Sequence, residues 1–161
     1  MADLNIEELI GKNISGISYG KVHLTSETES GSRTYIVMGF ENLFFSKTYR
    51  TITISTNDND TVQLISFSIE GVMDEVFFNE LTEKYGNPQY LAKKGDTAII
   101  EDKQTNDGEE ITTTKGTLVA CEFSDDPVLI KWDNPTVQMQ FLLIKENNMT
   151  NAMIGKIPAN K

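Results

Sequence analysis

The sequence predicts an α+β fold: a curved, mostly antiparallel sheet with one main helix, at about residues 74–86, packed on one face, and a short N-terminal helix. Three observations predict it. Strand-like runs alternate polar and apolar residues and follow one another through turn signals, as hairpin-connected strands do. A single amphipathic stretch stops at Tyr85-Gly86-Asn87-Pro88 and carries helical punctuation at both ends. Strands do not alternate with helices along the chain, which argues against a parallel α/β sheet.

At 161 residues, the chain is long enough to bury a core without disulfides or metals to staple it. The expected organisation is one α+β domain over residues 1–146 and a weakly ordered C-terminal tail over 147–161.

The elements follow in order. Asn5-Ile6-Glu7-Glu8 has the form of a capping box, and Ile6, Leu9 and Ile10 share one face of a short helix ending near Gly11. Residues 17–25 form the expected first strand, and the polar cluster 27–32 a turn. The β-branched and aromatic run 34–45 follows, broken by Gly39. In 49–56, Ile52 and Ile54 lie on one face and Thr51, Thr53 and Ser55 on the other, the pattern of a sheet with one dry side.

Asn57-Asn59 and Asp58-Asp60 alternate as Ca²⁺ ligands do, but the loop lacks the downstream Gly and Glu of an EF-hand. Between two strand-like runs it reads as a hairpin tip. In the return strand 61–70, Ile65, Phe67 and Ile69 share a face while Val62 and Leu64 sit in the other register. That switch needs a bulge, or burial of both faces.

Asp74 is placed to cap the helix, with Met73 and Phe78 spaced as a hydrophobic staple and Glu75 suiting the positive end of the dipole. Phe77, Leu81 and Tyr85 form its apolar row, and Gly86 and Pro88 stop it. Residues 97–104 and 110–117 read as arms of a polar hairpin about Asp107-Gly108. Residues 118–123 then continue inward. Val128, Ile130 and Trp132 face the core, and Val137, Met139, Phe141 and Leu143 alternate in what reads as the final strand. Residues 147–161 have the composition of a frayed tail, with a short helix over 152–157.

Composition excludes some functions and leaves others open. With 14 basic and 24 acidic residues the formal charge is −10, which repels a phosphate backbone, so no nucleic acid is expected as partner. A basic protein is the partner such a field favours. No run is long enough for a membrane span. Met1-Ala2-Asp3 has neither the basic start nor the apolar segment of a leader, so the expected compartment is the cytoplasm, or outside it after removal of a leader.

No catalytic residue, cofactor-binding residue or metal ligand stands out. Cys121 is the only cysteine and His23 the only histidine. A thiol in an apolar strand is by default buried and inert, and a Cys121–His23 dyad would rest on scarcity alone. Glu101, Asp102, Glu109 and Glu110 are the densest carboxylates but surround the polar hairpin, where they read as solvated charge rather than a glycosidase pair. Serine-nucleophile and phosphate-loop motifs are absent. Asn13, Asn59 and Asn148 head glycosylation sequons, meaningful only in a secretory setting.

The order of a hairpin, a helix ending Leu81-Thr-Glu-Lys-Tyr85-Gly86-Asn-Pro88, and then strands carrying Trp132, resembles small bacterial α+β proteins of unknown function, many of them exported or lipoprotein-like. The resemblance covers residues 49 to 145 and implies architecture rather than activity. Neither their leader nor their lipidated cysteine is expected from Met1-Ala2-Asp3, which leaves the compartment open. Function then narrows to three readings. The first is a non-enzymatic binding or accessory protein acting through an exposed sheet face or the 103–112 hairpin. The second is a small-molecule carrier with a pocket lined by Phe77, Phe78, Tyr85 and Trp132. The third is a hydrolase.

Overall fold

A computed structural model describes residues 6–18, 20–104, 108, 110–133 and 137–156. It holds one α-helix, α1 (Glu75–Tyr85), and eleven strands among those residues. The strands are β1 (Lys21–Glu27), β2 (Arg33–Met38), β3 (Asn42–Phe44), β4 (Lys47–Tyr49), β5 (Ile52–Thr56), β6 (Val62–Glu70), β7 (Tyr90–Gln104), β8 (Glu110–Ala120), β9 (Leu129–Asp133), β10 (Val137–Ile144) and β11 (Met149–Lys156). Nine form one sheet in the order β1-β2-β5-β6-β11-β10-β9-β7-β8, and every pairing in it is antiparallel. The sheet is not strongly curled. β3 and β4 pair separately as a small hairpin.

Register explains the core. One row of mutually paired residues runs Val22, Val37, Ile52, Phe67, Ala152, Phe141, Ile130, Leu91 across eight strands. Side chains alternate faces with period two, so this row and those two residues away share the apolar face. From Val37 to Ile130 its members are buried. Phe77 and Leu81 of α1 cover this face, together with Phe44 and Phe45 of the β3–β4 hairpin. Burying each of these large side chains contributes about 1.5–3 kcal/mol.

The helix forms where its signals lie. Asp74 Oδ1 accepts the Phe77 N–H at 2.8 Å, and the Gly86 N–H, at φ 82°, donates to the Thr82 carbonyl. Trp132 Nε1 donates to the Gly86 carbonyl at 2.9 Å, fixing the C-terminal end of the helix against β9. The N-terminal segment is a 3-10 turn, Ile6–Leu9, with Ile6 and Leu9 buried; Asn5 lies outside the described residues. Backbone bonds from Gly11 to Val62 and from Val62 to Lys12 tie it to the start of β6.

At the β5–β6 turn Asn57 Oδ1 accepts the Asn59 and Thr61 N–H groups, the Asx pattern of a hairpin tip. The pairing shifts between Ser55 and Thr56, leaving Gln63 as the extra residue. That bulge moves Val62 to the buried face while Leu64 stays on the other.

Several expectations are corrected. The tail expected over 147–161 is instead, from Met149 to Lys156, strand β11, seated between β6 and β10; residues 157–161 lie outside the described residues. No helix starts at Ala152, and β10 is not the final strand. The runs 34–45 and 49–56 are each divided, because Gly39 (φ 80°) and the chain at Arg50–Thr51 turn β3 and β4 out of the sheet. The first strand begins at Lys21 rather than residue 17. Leu118 and Val119 do not turn inward: they are 48% and 44% exposed on the edge strand β8.

Candidate functional site: the open sheet face

The helix, the N-terminal turn and the β3–β4 hairpin occupy one side of the sheet, and no described element covers the other. On that open face a paired row runs His23, Ile36, Thr53, Ser66, Met153, Gln140, Lys131, Tyr90. A neighbouring row runs Ser55, Leu64, Gly155, Gln138, Asp133. On the four central strands (β5, β6, β11 and β10) every side chain of this face is uncharged except Glu70 at the end of β6. Hydroxyls and amides share this face with Leu64, Leu142, Ile144, Met149 and Met153. Most are half-buried by their neighbours on the pleat.

A shallow groove of about 630 Å³ runs along this face, with Thr51 and Thr53 on one side and Asn151 and Met153 on the other. Ser66 and Ser68 form its floor, and the Ser68 hydroxyl donates to Asn151 Oδ1 at 2.8 Å. Arg50, paired with Glu41 at 2.8 Å, and Glu70 stand at one end. The groove therefore offers neutral donors and acceptors backed by methyl and thioether groups. It has no nucleophile–base pair.

At the other end of the sheet Arg33 joins three elements. Its guanidinium donates to Asp60 Oδ1 at 2.7 Å and lies 3.2 Å from Glu27 Oε1, and the Tyr35 hydroxyl donates to the same Asp60 oxygen at 3.1 Å. The hydrogen bond from Arg33 holds the Asp60 carboxyl below the usual carboxylate range. Burial first, and Asp60 second, raise the Tyr35 hydroxyl.

The residues singled out in the sequence are scattered. His23 lies on β1 and Cys121 just beyond β8, the two ends of the nine-stranded order. Eight strand spacings of ~4.8 Å put them roughly 35–40 Å apart, so they cannot form a dyad. Burial, then Asp125, pushes the Cys121 thiol up, away from the reactive thiolate.

Asn57 Oδ1 is committed to the turn and Asp60 Oδ1 to Arg33 and Tyr35, and among the described residues no group of three or more His, Cys, Asp or Glu could hold a metal ion. Glu101 and Asp102 lie on β7 and Glu110 on β8, in the part of that ladder that pairs with no other strand; Glu109 is outside the described residues.

Phe77, Phe78, Tyr85 and Trp132 meet other rings of the chain. Phe78 stacks on Phe123 at 4.3 Å, Trp132 meets Phe141 edge-on at 5.6 Å, and Tyr85 meets Phe45 at 6.1 Å. Asn13, Asn59 and Asn148 are exposed.

Sequence reasoning marked Thr51, Thr53 and Ser55 as the polar side of one strand but did not assemble the face. Its signal was present as the polar residues of the alternating strands, Ser66-Ser68, Gln138-Gln140 and Asn151. Joining those halves needed the strand order, which local patterning does not contain.

Among the described residues no helix is long and apolar enough to cross a membrane. Compared with protein-family models, with curated proteins and with solved structures, the chain matches none.

Proposed function

We propose that this chain is a non-enzymatic binding protein and that the open sheet face is the surface it binds with. The supporting observation is charge distribution. A chain of net charge −10 keeps the four central strands of one broad face free of charge except for Glu70. Interface centres are depleted of charged groups because each buried charge must shed its water without a guaranteed partner. Hydroxyls and amides keep such a face soluble and still pair across a contact. The partner is a basic protein: the net charge of −10 on the chain speeds its encounter, and the neutral centre avoids stranding charges once it has docked.

The test is affinity capture with the wild-type chain and with a Ser66→Lys/Gln140→Lys variant, washed at low and at high salt. Both positions lie in the middle of the face, so the variant should keep the wild-type urea midpoint. A partner held by the wild type, released at high salt and missing from the variant supports the reading. A partner held equally by both moves the binding surface elsewhere, and a wild type that captures nothing overturns the reading.

A further inference from the structure

We infer that the edge strand β1 pairs with β1 of a second copy, antiparallel and about a two-fold axis through His23. The argument starts from what β1 leaves unfinished. It ends the nine-stranded sheet, so among the described residues its outer backbone groups pair with no other strand. Its register places Val22 and Leu24 beside Val37 and Tyr35, on the apolar face. Val37 is fully buried, yet Val22 is 39% and Leu24 54% exposed, because the cover over that face stops one strand short. An edge with free ladder groups and an apolar side is the kind that natural proteins either protect or use. Here the regular part is bounded: the pairing with β2 shifts between Leu24 and Ser26, and this bulge turns the strand beyond it.

A second β1 fits this short segment better than an arbitrary strand. With His23 opposite the partner copy's His23, Val22 of each copy lies opposite Leu24 of the other, all four on the apolar face. The sheet's dry side then continues through the seam. Antiparallel pairing also sets Lys21 of each strand opposite the neutral Thr25 of the other, whereas in-register parallel pairing would set the two Lys21 side chains together. Any other register about a two-fold axis splits the Val22–Leu24 cluster.

A seam of so few residues falls below the area of stable interfaces, which ranks this dimer with weak, transient associations. Two chains of −10 repel, so the dimer strengthens as salt is added. Capture of a basic protein on the open face weakens under the same change, so the two contacts fail separately.

Disulfide trapping tests the geometry. Residues directly opposed in an antiparallel pair have Cα atoms about 4.5–5.5 Å apart, within disulfide reach. In a Cys121→Ser background, His23→Cys should oxidise to a covalent dimer at least ten times faster than Lys21→Cys, whose two copies lie about 14 Å apart along the strand. Adding Leu24→Lys to the His23→Cys chain should remove that advantage, and raising salt should increase it. Equal rates at positions 21 and 23, faster trapping at 21, or a His23→Cys chain that stays monomeric under oxidation would each overturn the inference.

Discussion

The Asp60 carboxylate accepts from both Arg33 and Tyr35, at 2.7 and 3.1 Å, while its own backbone sits in the left-handed region at φ 57°. Asp tolerates that conformation because its short side chain bonds locally, and here the side chain also fastens the β5–β6 tip to β2. Folding lowers its pKa, chiefly through the Arg33 hydrogen bond. The stabilisation is therefore present above the ordinary carboxylate pKa, near 4, and is lost as the pH falls through the lower folded value. Asp60→Asn keeps the size and the tolerance for left-handed backbone but removes the charge. Urea midpoints of the wild type should exceed those of Asp60→Asn at pH 7, and the gap should close as the pH drops below about 4. A gap that does not change with pH would assign the loss to shape instead of charge. The tip itself was readable from Asn57-Asp58-Asn59-Asp60 and its flanking strands. That Arg33, 27 residues earlier, holds it was not, since no local pattern encodes that pairing.

Among the elements, legibility tracked how local the deciding forces are. The helix was read almost to the residue, because its start is an Asp74 cap and its end is a Gly86–Pro88 stop, both written in neighbouring residues. Strand β10 was read from Val137, Met139, Phe141 and Leu143, four large side chains in alternation. Strand β11 was missed because its buried positions begin Thr150, Ala152, and small or polar residues give almost no hydrophobic signal. The reason for the small residue is non-local: in the register row the fully buried Ala152 sits between Phe67 and Phe141, and the Phe44 ring meets both of theirs, at 5.2 and 6.2 Å. Thr150 is likewise buried because its hydroxyl donates to the Gly71 carbonyl at 2.8 Å. Ala152→Leu should then overpack the core and cost about 1–3 kcal/mol, read as a lower urea midpoint. Asn151→Leu, one residue away on the open face, should move the midpoint far less. Equal losses at the two positions would contradict the assignment of faces.

At the scale of the whole molecule, β11 is what makes one sheet out of two. The strands β1, β2, β5 and β6 form one half and β10, β9, β7 and β8 the other, and the halves share no ladder except through β11. The polar face, with its groove between β5 and β11, also exists only once that strand is in place. Its pairing with β6 spans long loops, as in the Ser68–Asn151 contact across 83 residues, and such closures are slow because the chain entropy is lost before the contacts form. The row of buried residues is interrupted without Ala152, leaving Phe67 and Phe141 each with an open flank. A chain ending at Asn148 should consequently lose cooperative unfolding altogether rather than lose one strand's share of stability. Trp132 reports the outcome. It is the sole tryptophan, it is buried, and it is bonded to the Gly86 carbonyl at the end of the helix. The expected result is red-shifted Trp132 emission and a broad, shallow urea response in the shortened chain, against blue-shifted emission and a single sharp transition in the full one. A shortened chain that keeps buried Trp132 and a sharp transition would mean that the C-terminal half, helix included, folds without its central strand.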